Sequence, residues 1–303
     1  VERFFIVKDS VADIRKEPIA PKERYIYDEL QATQAIYNEI LLCSREIDEW
    51  IYVEAIEQKI FSHQNQWQGY PGWVKKDKVA CIDKVPECDT LIIKKRKSPI
   101  FLKPSKKSPI IFYAPFGARL WLTGNSLQED GCIYFEVSLY DKKNAWVNGG
   151  DANLPKDMRN KKDLRKDIVM MIRLFLGVPY LWGGRSIDEG VDCSGLINLV
   201  YRVTNIDLPR DSHDQWMTAK KINSCELKPG DLIFISQKNI YHRINHVMFF
   251  TGGDVIIEAY ETGSSVREIK FRERFGMELK DIDSREIRLD DRCIYFCRVE
   301  GLE

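Results

Sequence analysis

Two short strings, Ile51-Tyr52-Val53-Glu54-Ala55 and Ile133-Tyr134-Phe135-Glu136-Val137, are each followed by a tryptophan-valine pair, Trp73-Val74 and Trp146-Val147. A unit seen twice in the first half of the chain means two copies of one small fold rather than one large core. Within each copy, β-branched and aromatic runs alternate with Pro, Gly, Asn and Asp breaks, so each is expected to be a small all-β barrel. The intervals between string and tryptophan are 17 and 8 residues, which gives the first copy a loop nine residues longer, containing His63-Gln64-Asn65-Gln66-Trp67-Gln68-Gly69. The expected organisation is a barrel over 1–85, a second over 86–154 and a third domain over 155–303. A chain of 303 residues is long enough for two or three domains.

The 46 basic residues balance the 46 acidic ones, which argues against a partner held mainly by charge, such as nucleic acid or a membrane surface. The most apolar window, Ile168–Trp182, contains Arg173, Gly177 and Pro179 and is too short for a membrane span. No charged start, apolar block and small-residue cleavage site opens the sequence, so no secretory leader is read there, although a removed one stays open. The eight cysteines lack a CxxC or zinc-ligand spacing. Most read as buried strand residues, and the pairs Cys81/Cys88 and Cys293/Cys297 are read as structural rather than disulfide-bonded. The lysine-rich stretch Lys94–Pro109 is expected to be a solvated edge strand with its turns, and the charged run Pro155–Asp167 a linker.

After the linker, Ile168, Met171, Ile172 and Phe175 recur at helical spacing and Gly177 ends the run. Turn formers then fill Val178–Asp192, and Leu196, Leu199, Val200 and Val203 mark a second helix reaching Asn205, with Asp192 where an N-cap belongs. Cys193 thus falls in the first turn of a largely buried helix. There, unpaired backbone N–H groups and the helix dipole favour a thiolate and can stabilise an oxyanion.

A cysteine nucleophile needs a base, and the chain has four histidines, at 63, 213, 242 and 246. His63 lies in the first barrel's long loop, and His213 and His242 have loop-like surroundings. His246 opens the strand-like run Asn245–Phe250, which Thr251-Gly252-Gly253-Asp254 turns into a second strand, Val255–Tyr260. A histidine on a core strand can be held rigidly against a packed helix. His242 and His246 as a helical metal pair is the competing reading, disfavoured by β-branched neighbours and the lack of a correctly spaced third ligand. No metal or cofactor is expected.

The pieces Pro179–Gly184 with Asp192–Leu196, then Leu208–Trp216, Leu227–Ile235, Asn245–Phe250 and Ile256–Tyr260 occur in the order found in the NlpC family of papain-like cysteine peptidases, which this domain resembles over about 130 residues. The repeated Gly-Trp-Val endings likewise resemble bacterial SH3-like (SH3b) domains. The implied fold is α+β, an antiparallel sheet with packed helices, preceded by two small all-β SH3-like barrels. The implied activity is endopeptidase cleavage of the amide joining the γ-carboxyl of D-glutamate to a diamino acid such as diaminopimelate in peptidoglycan stem peptides. In it Cys193 attacks, His246 serves as base, and short peptides with a free N-terminal L-alanine are preferred.

The resemblance further implies that Asp192 and Asp211, with Ser194 and Ser212 beside them, receive the substrate ammonium. For both aspartates helix capping is the alternative. Tyr180 and Trp182 match aromatic positions lining the pocket, and Tyr70 and Glu39 from the first barrel are further candidates for walls closing the groove. Localisation in the cytoplasm in a recycling role and a monomeric state follow as expectations.

The third catalytic position departs from the pattern: His, Asn or Gln is common there, and this chain has Glu258. A carboxylate can accept a hydrogen bond from the imidazole Nδ1–H and shift the basic limb of the pH profile upward. A two-residue turn centred on the two glycines would send Glu258 to the other face from His246, so an odd-numbered loop, for instance Thr251–Gly253, is expected. Two other readings stay open: a wall-binding module whose catalytic site has decayed, and a thiol amidase or acyltransferase on another substrate.

Overall fold

The computed structural model describes residues 3–302 except 22, 24, 25, 63 and 156–162. The first sheet contains β1 (Arg3–Val7), β2 (Val11–Arg15), β3 (Gln31–Ile36), β4 (Ile40–Ile47), β5 (Trp50–Phe61), β6 (Trp67–Lys75) and β7 (Val79–Ile82), in the order β3-β2-β6-β5-β4-β1-β7. The second contains β8 (Thr90–Ile93), β9 (Lys97–Phe101), β10 (Ile110–Pro115), β11 (Arg119–Glu129), β12 (Cys132–Ser138), β13 (Asn144–Asn148) and β14 (Ala152–Asn153), in the order β10-β9-β13-β12-β11-β8-β14. Each strand of the second sheet occupies the place of its counterpart in the first, so the repeat in sequence is a repeat in topology.

The structural match is offset from the matching strings. Tyr52 pairs with Trp73, whereas Glu136, not Tyr134, pairs with Trp146. The Ile-Tyr strings are therefore two residues out of register with one another. Strand side chains alternate with a period of two, so a two-residue slip keeps every apolar residue on its own face. Val53 and Val74 accordingly enter the first core and Val137 and Val147 the second.

Three expectations are corrected here. The lysine-rich stretch is not an edge: β9 pairs with β10 on one side and β13 on the other. The β13 ladder reaches only Ile100 and Phe101, so Pro99, which has no N–H to donate, escapes that side of the sheet. Of the cysteines, Cys43, Cys193, Cys293 and Cys297 are buried, but Cys81, Cys88 and Cys225 are exposed and Cys132 is partly so. The linker reading falls mostly on residues outside the described set, and its end, Leu164–Asp167, is the first turn of a helix.

The C-terminal part supplies α1 (Leu164–Arg173), a short hairpin of β15 (Arg185–Ser186) and β16 (Gly190–Val191), α2 (Cys193–Arg202) and α3 (Ser212–Thr218). After β17 (Lys220–Lys221) come β18 (Leu232–Gln237), β19 (Ile240–Gly252), β20 (Val255–Glu258), β21 (Arg267–Lys270), α4 (Phe271–Phe275), β22 (Glu286–Arg288) and β23 (Cys293–Arg298). Strands order as β17-β23-β18-β19-β20-β21, with β22 beside β23, and every pairing is antiparallel. Leu196, Leu199 and Val200 of α2 share one core with Val247, Phe249 and Ile257 of the sheet and with Ile168, Ile172 and Phe175 from the α1 segment. Met248, Phe250 and Ile256 pack on the other face with Phe271 and Phe296.

All ten residues of α2 are buried, polar ones included. The all-β units cover the side that the sheet does not. Arg202 donates to the Gly117 carbonyl at 2.8 Å and to Glu57 at 2.8 Å, and Asn153 donates to the Val203 carbonyl at 3.0 Å. Such partners are what a buried polar helix face requires.

Candidate active site

Asp192 adopts extended backbone and caps α2, its Oδ1 accepting the Gly195 N–H at 2.6 Å. A side chain at 195 would drive its Cβ into the Gly184 carbonyl oxygen, which accounts for glycine two residues after Cys193. The remaining lone pairs of Asp192 are taken by the Gly183 N–H at 3.0 Å and by Arg210, whose Nη1 and Nη2 lie 3.0 and 2.7 Å away. Arg210 also donates to Ser194 Oγ at 2.9 Å and to Thr33 Oγ1 at 2.7 Å. The cap on the cysteine helix is thus tied to the first all-β unit.

His246 is nearly buried and lies within β19, which begins six residues earlier at Ile240, so His242 is on a strand rather than in a loop. The histidine and Glu258 are joined, Nε2 to Oε2, at 2.8 Å. The parity that allows this arises differently from expectation. The turn is the two-residue Gly253-Asp254, flanked by the pair Gly252↔Val255, and an irregularity between Phe250 and Gly252 shifts the register so that Phe249 pairs with Ile257. That register puts positions 246 and 258 on one face as diagonal neighbours, not directly opposite. Glu258 uses Nε2 of the ring rather than Nδ1, which leaves Nδ1 for the cysteine side.

Burial by itself would lower the pKa of His246. Hydrogen bonding to Cys193 and Glu258, and their negative charges, outweigh it and lift the value to about 9. Burial likewise works to raise Glu258, but the His246 contact, Arg267 and Arg274 bring it down to about 2. These are two views of one interaction in which Cys193, His246 and Glu258 meet.

Around this centre, Tyr180 is buried and its hydroxyl pKa is pushed upward by burial and by the charges of Cys193 and Asp192. Trp182 is 38% exposed, and its ring lies 5.3 Å from that of Tyr27, on the β2–β3 connection. Ser194 donates to Asp192 at 3.3 Å, and Ser212 is buried at the start of α3. Asp211 sits at the N-cap position of α3 without capping it. Its carboxylate accepts instead from the Tyr70 hydroxyl at 3.4 Å. Burial, then the nearby Asp192 and Asp214, raise Asp211 to about 6 against the pull of Arg210.

Glu39 is a correction. It does not wall a groove but is buried in an ion pair with Arg185, at 2.8 and 3.0 Å, and accepts from Gln58 at 2.9 Å. A carboxylate this far inside needs such partners and has no face left for a ligand. His213 is in the first turn of α3, not a loop, and its Nδ1 accepts the Ile244 N–H at 3.3 Å. His63 lies outside the described residues.

Sequence reasoning missed Arg210, Arg267, Arg274 and Tyr260. One signal was present: once Ile256–Glu258 is a strand, Val266–Lys270 is its alternating hairpin partner, and that pairing sets Arg267 opposite Glu258. A cavity of about 490 Å³ opens beside His246, lined by Asn245, Tyr260, Glu261, Arg274 and Arg292 among others. A larger one, about 700 Å³, lies at the junction of β5, residues 205–209 and Trp67 at the start of β6, but it includes none of Cys193, His246 and Glu258. No cluster of three His, Cys, Asp or Glu side chains suited to a metal ion occurs among the described residues. No helix among them is long and apolar enough to cross a membrane.

Residues 177–278 match the NlpC/P60 family model. A gamma-D-glutamyl-L-lysine dipeptidyl-peptidase of Bacillus subtilis is 28% identical over 83% of this chain and 82% of its own length. One of the same name from Bacillus cereus is 27% identical over 78% and 69%. A crystal structure of an NlpC/P60 family protein from Bacillus cereus superposes with a TM-score of 0.73 and 22% identity, over 88% of this chain and 94% of that one, and so shares the fold.

Proposed function

We propose, on the match of residues 177–278 to the NlpC/P60 family, that this cysteine peptidase hydrolyses the amide between the γ-carboxyl of D-glutamate and a diamino acid in peptidoglycan stem peptides. The observation that carries the reading is His246 held between Cys193, at the head of α2, and Glu258 at 2.8 Å. The Cys193 sulfur attacks the amide carbonyl, and first-turn N–H groups of α2 face the developing oxyanion. The C–N bond then breaks as His246 gives its proton to the departing amine, leaving a thioester. Water adds to that thioester, His246 accepts its proton, and the γ-carboxyl product and free thiol are released. The names of the two Bacillus relatives support the bond attacked and a dipeptidyl product.

Asp211 and the Tyr70 hydroxyl, from two different parts of the chain, form the anionic corner that receives a free N-terminal ammonium. Tyr180, whose hydroxyl feels the charges of Cys193 and Asp192, supports an aromatic wall for the peptide in this reading. Asp192 contributes as the helix cap and as the anchor of Arg210, since its own oxygens are occupied. The bond between Glu258 and His246 supports a working site over a decayed one. The test is mass spectrometry of products from L-Ala-γ-D-Glu-L-Lys and its N-acetyl form. Release of L-Ala-D-Glu from the free peptide, with the acetylated one cleaved at least tenfold more slowly, is the expected result. Exclusive transfer to an added amine, or cleavage at another bond, would contradict it.

A further inference from the structure

Glu258 is wholly buried and carries more partners than orienting an imidazole requires. Its Oε1 accepts from Arg267 Nε at 3.1 Å and Nη2 at 2.6 Å, and Arg274 Nε lies 3.3 Å from Oε1 and 3.4 Å from Oε2. The two arginines come from different elements: Arg267 lies directly opposite on β21, and Arg274 reaches in from α4. Both guanidinium groups stack on Tyr260, at 4.5 and 4.7 Å from its centroid. Tyr260 in turn meets His246 edge-on, at 6.3 Å and 89°.

We propose that Arg267 and Arg274 are positioning residues that hold Glu258 and offset its charge, so that His246 has a fixed hydrogen-bond acceptor without a full unshielded anion beside it. The proposal rests on the reading of Cys193 and His246 as the reacting pair. An unshielded buried carboxylate at 2.8 Å would bind the imidazolium so strongly that giving up its proton to a departing amine becomes costly. Two cations on the carboxylate, Arg267 on Oε1 and Arg274 near both oxygens, weaken that hold while keeping the ring in place. The charged and titratable groups facing His246 are Cys193, Glu258 and, edge-on, Tyr260, with Glu261, Arg274 and Arg292 around the adjoining cavity, and those facing Glu258 are His246, Arg267 and Arg274.

The consequence is a sign that a merely structural role does not share. Removing either cation raises the imidazole midpoint, whereas loosening or exposing the site lets it fall toward the ordinary value. Because Arg267 and Arg274 are partly solvent-screened, the rise is about half a unit to one unit for each.

The experiment follows the His246 ring protons by NMR through a pH titration of the full chain, comparing wild type with Arg267→Gln, Arg274→Gln and the charge-retaining Arg267→Lys. The expected result is an upward shift in both glutamine variants and little change in the lysine variant. The basic limb of kcat/KM for L-Ala-γ-D-Glu-L-Lys should move the same way. A midpoint that stays or falls in the glutamine variants overturns the proposal. Should Arg267→Gln not fold, Arg274→Gln, which leaves the strand pair intact, decides alone. The titration needs no turnover, so a wild type that leaves the peptide uncut counts against the peptidase reading separately.

Discussion

Arg210 grips both carboxylate oxygens of Asp192, at 3.0 and 2.7 Å, while its Nε donates to Thr33 at 2.7 Å in the first all-β unit. The residue that caps the cysteine helix is therefore tied, through Arg210, to the first all-β unit. The backbone N–H of Arg210 also donates to the Lys59 carbonyl at 2.9 Å, and Asp214 accepts the Phe61 N–H at 2.8 Å. These contacts make the site a property of the whole chain.

Replacing Arg210 by Ala leaves the Asp192 carboxylate buried without its cation. The expected loss of stability is about 3–5 kcal/mol, read by urea unfolding, and a loss below about 1 kcal/mol would show the pair to be dispensable.

Glu258→Gln keeps an acceptor for His246 Nε2–H but removes the negative charge. The pKa of His246, about 9 in the folded chain, should drop by about one to two units, carrying the basic limb of kcat/KM down with it. An unchanged basic limb would mean that Glu258 does not act through the imidazole.

The same pair ties stability to pH. His246 titrates higher folded than unfolded, so its contribution is complete below its unfolded value of about 6.5 and fades as pH rises through about 9. Glu258 titrates lower when folded, so the contribution is also present above its unfolded value and lost as pH falls through about 2. Thermal unfolding across pH should show a plateau between the two unfolded values, 4.5 and 6.5, with stability declining on either side. In Glu258→Gln the alkaline decline should be smaller and should end at lower pH.

Asp211, raised to about 6, must be ionised to attract an ammonium. KM for a peptide with a free N-terminus should rise as pH falls below about 6, and KM for its acetylated form should not. Asp211→Asn should remove the difference between the two peptides, with an effect of about tenfold or more on the free one.

Much of the site was legible because it rests on local rules. A cap before a helix, a thiol in its first turn and a histidine in an apolar strand each announce themselves within a few residues, and Cys193, His246 and Asp192 follow from them. Tyr70 and Asp211, 141 residues apart, meet, but the family resemblance pointed to them only separately, as a groove wall and an ammonium partner. Glu39 was misjudged because its neighbours in sequence are apolar β residues, while the charges that bury it, Arg185 and Arg202, are far along the chain.

Register was the other blind spot. The bulge near Thr251 does the work assigned to a three-residue loop, and the Ile-Tyr strings misalign the two all-β units by two residues. Periodicity specifies which face a residue takes but not which partner it meets. Arg274 was invisible for the same reason, since its charge reads as surface until α4 is folded against Glu258, whereas the strand pairing that sets Arg267 opposite Glu258 could have been read.

The central claim is that Cys193 performs the chemistry on a γ-D-glutamyl amide. The most direct measurement is mass-spectrometric turnover of L-Ala-γ-D-Glu-L-Lys by wild type and by Cys193→Ala at matched, folded concentration. Release of L-Ala-D-Glu and lysine by the wild type, with at least a thousandfold loss in the variant, is the predicted result. Equal turnover by both, or none by a folded wild type, would contradict it.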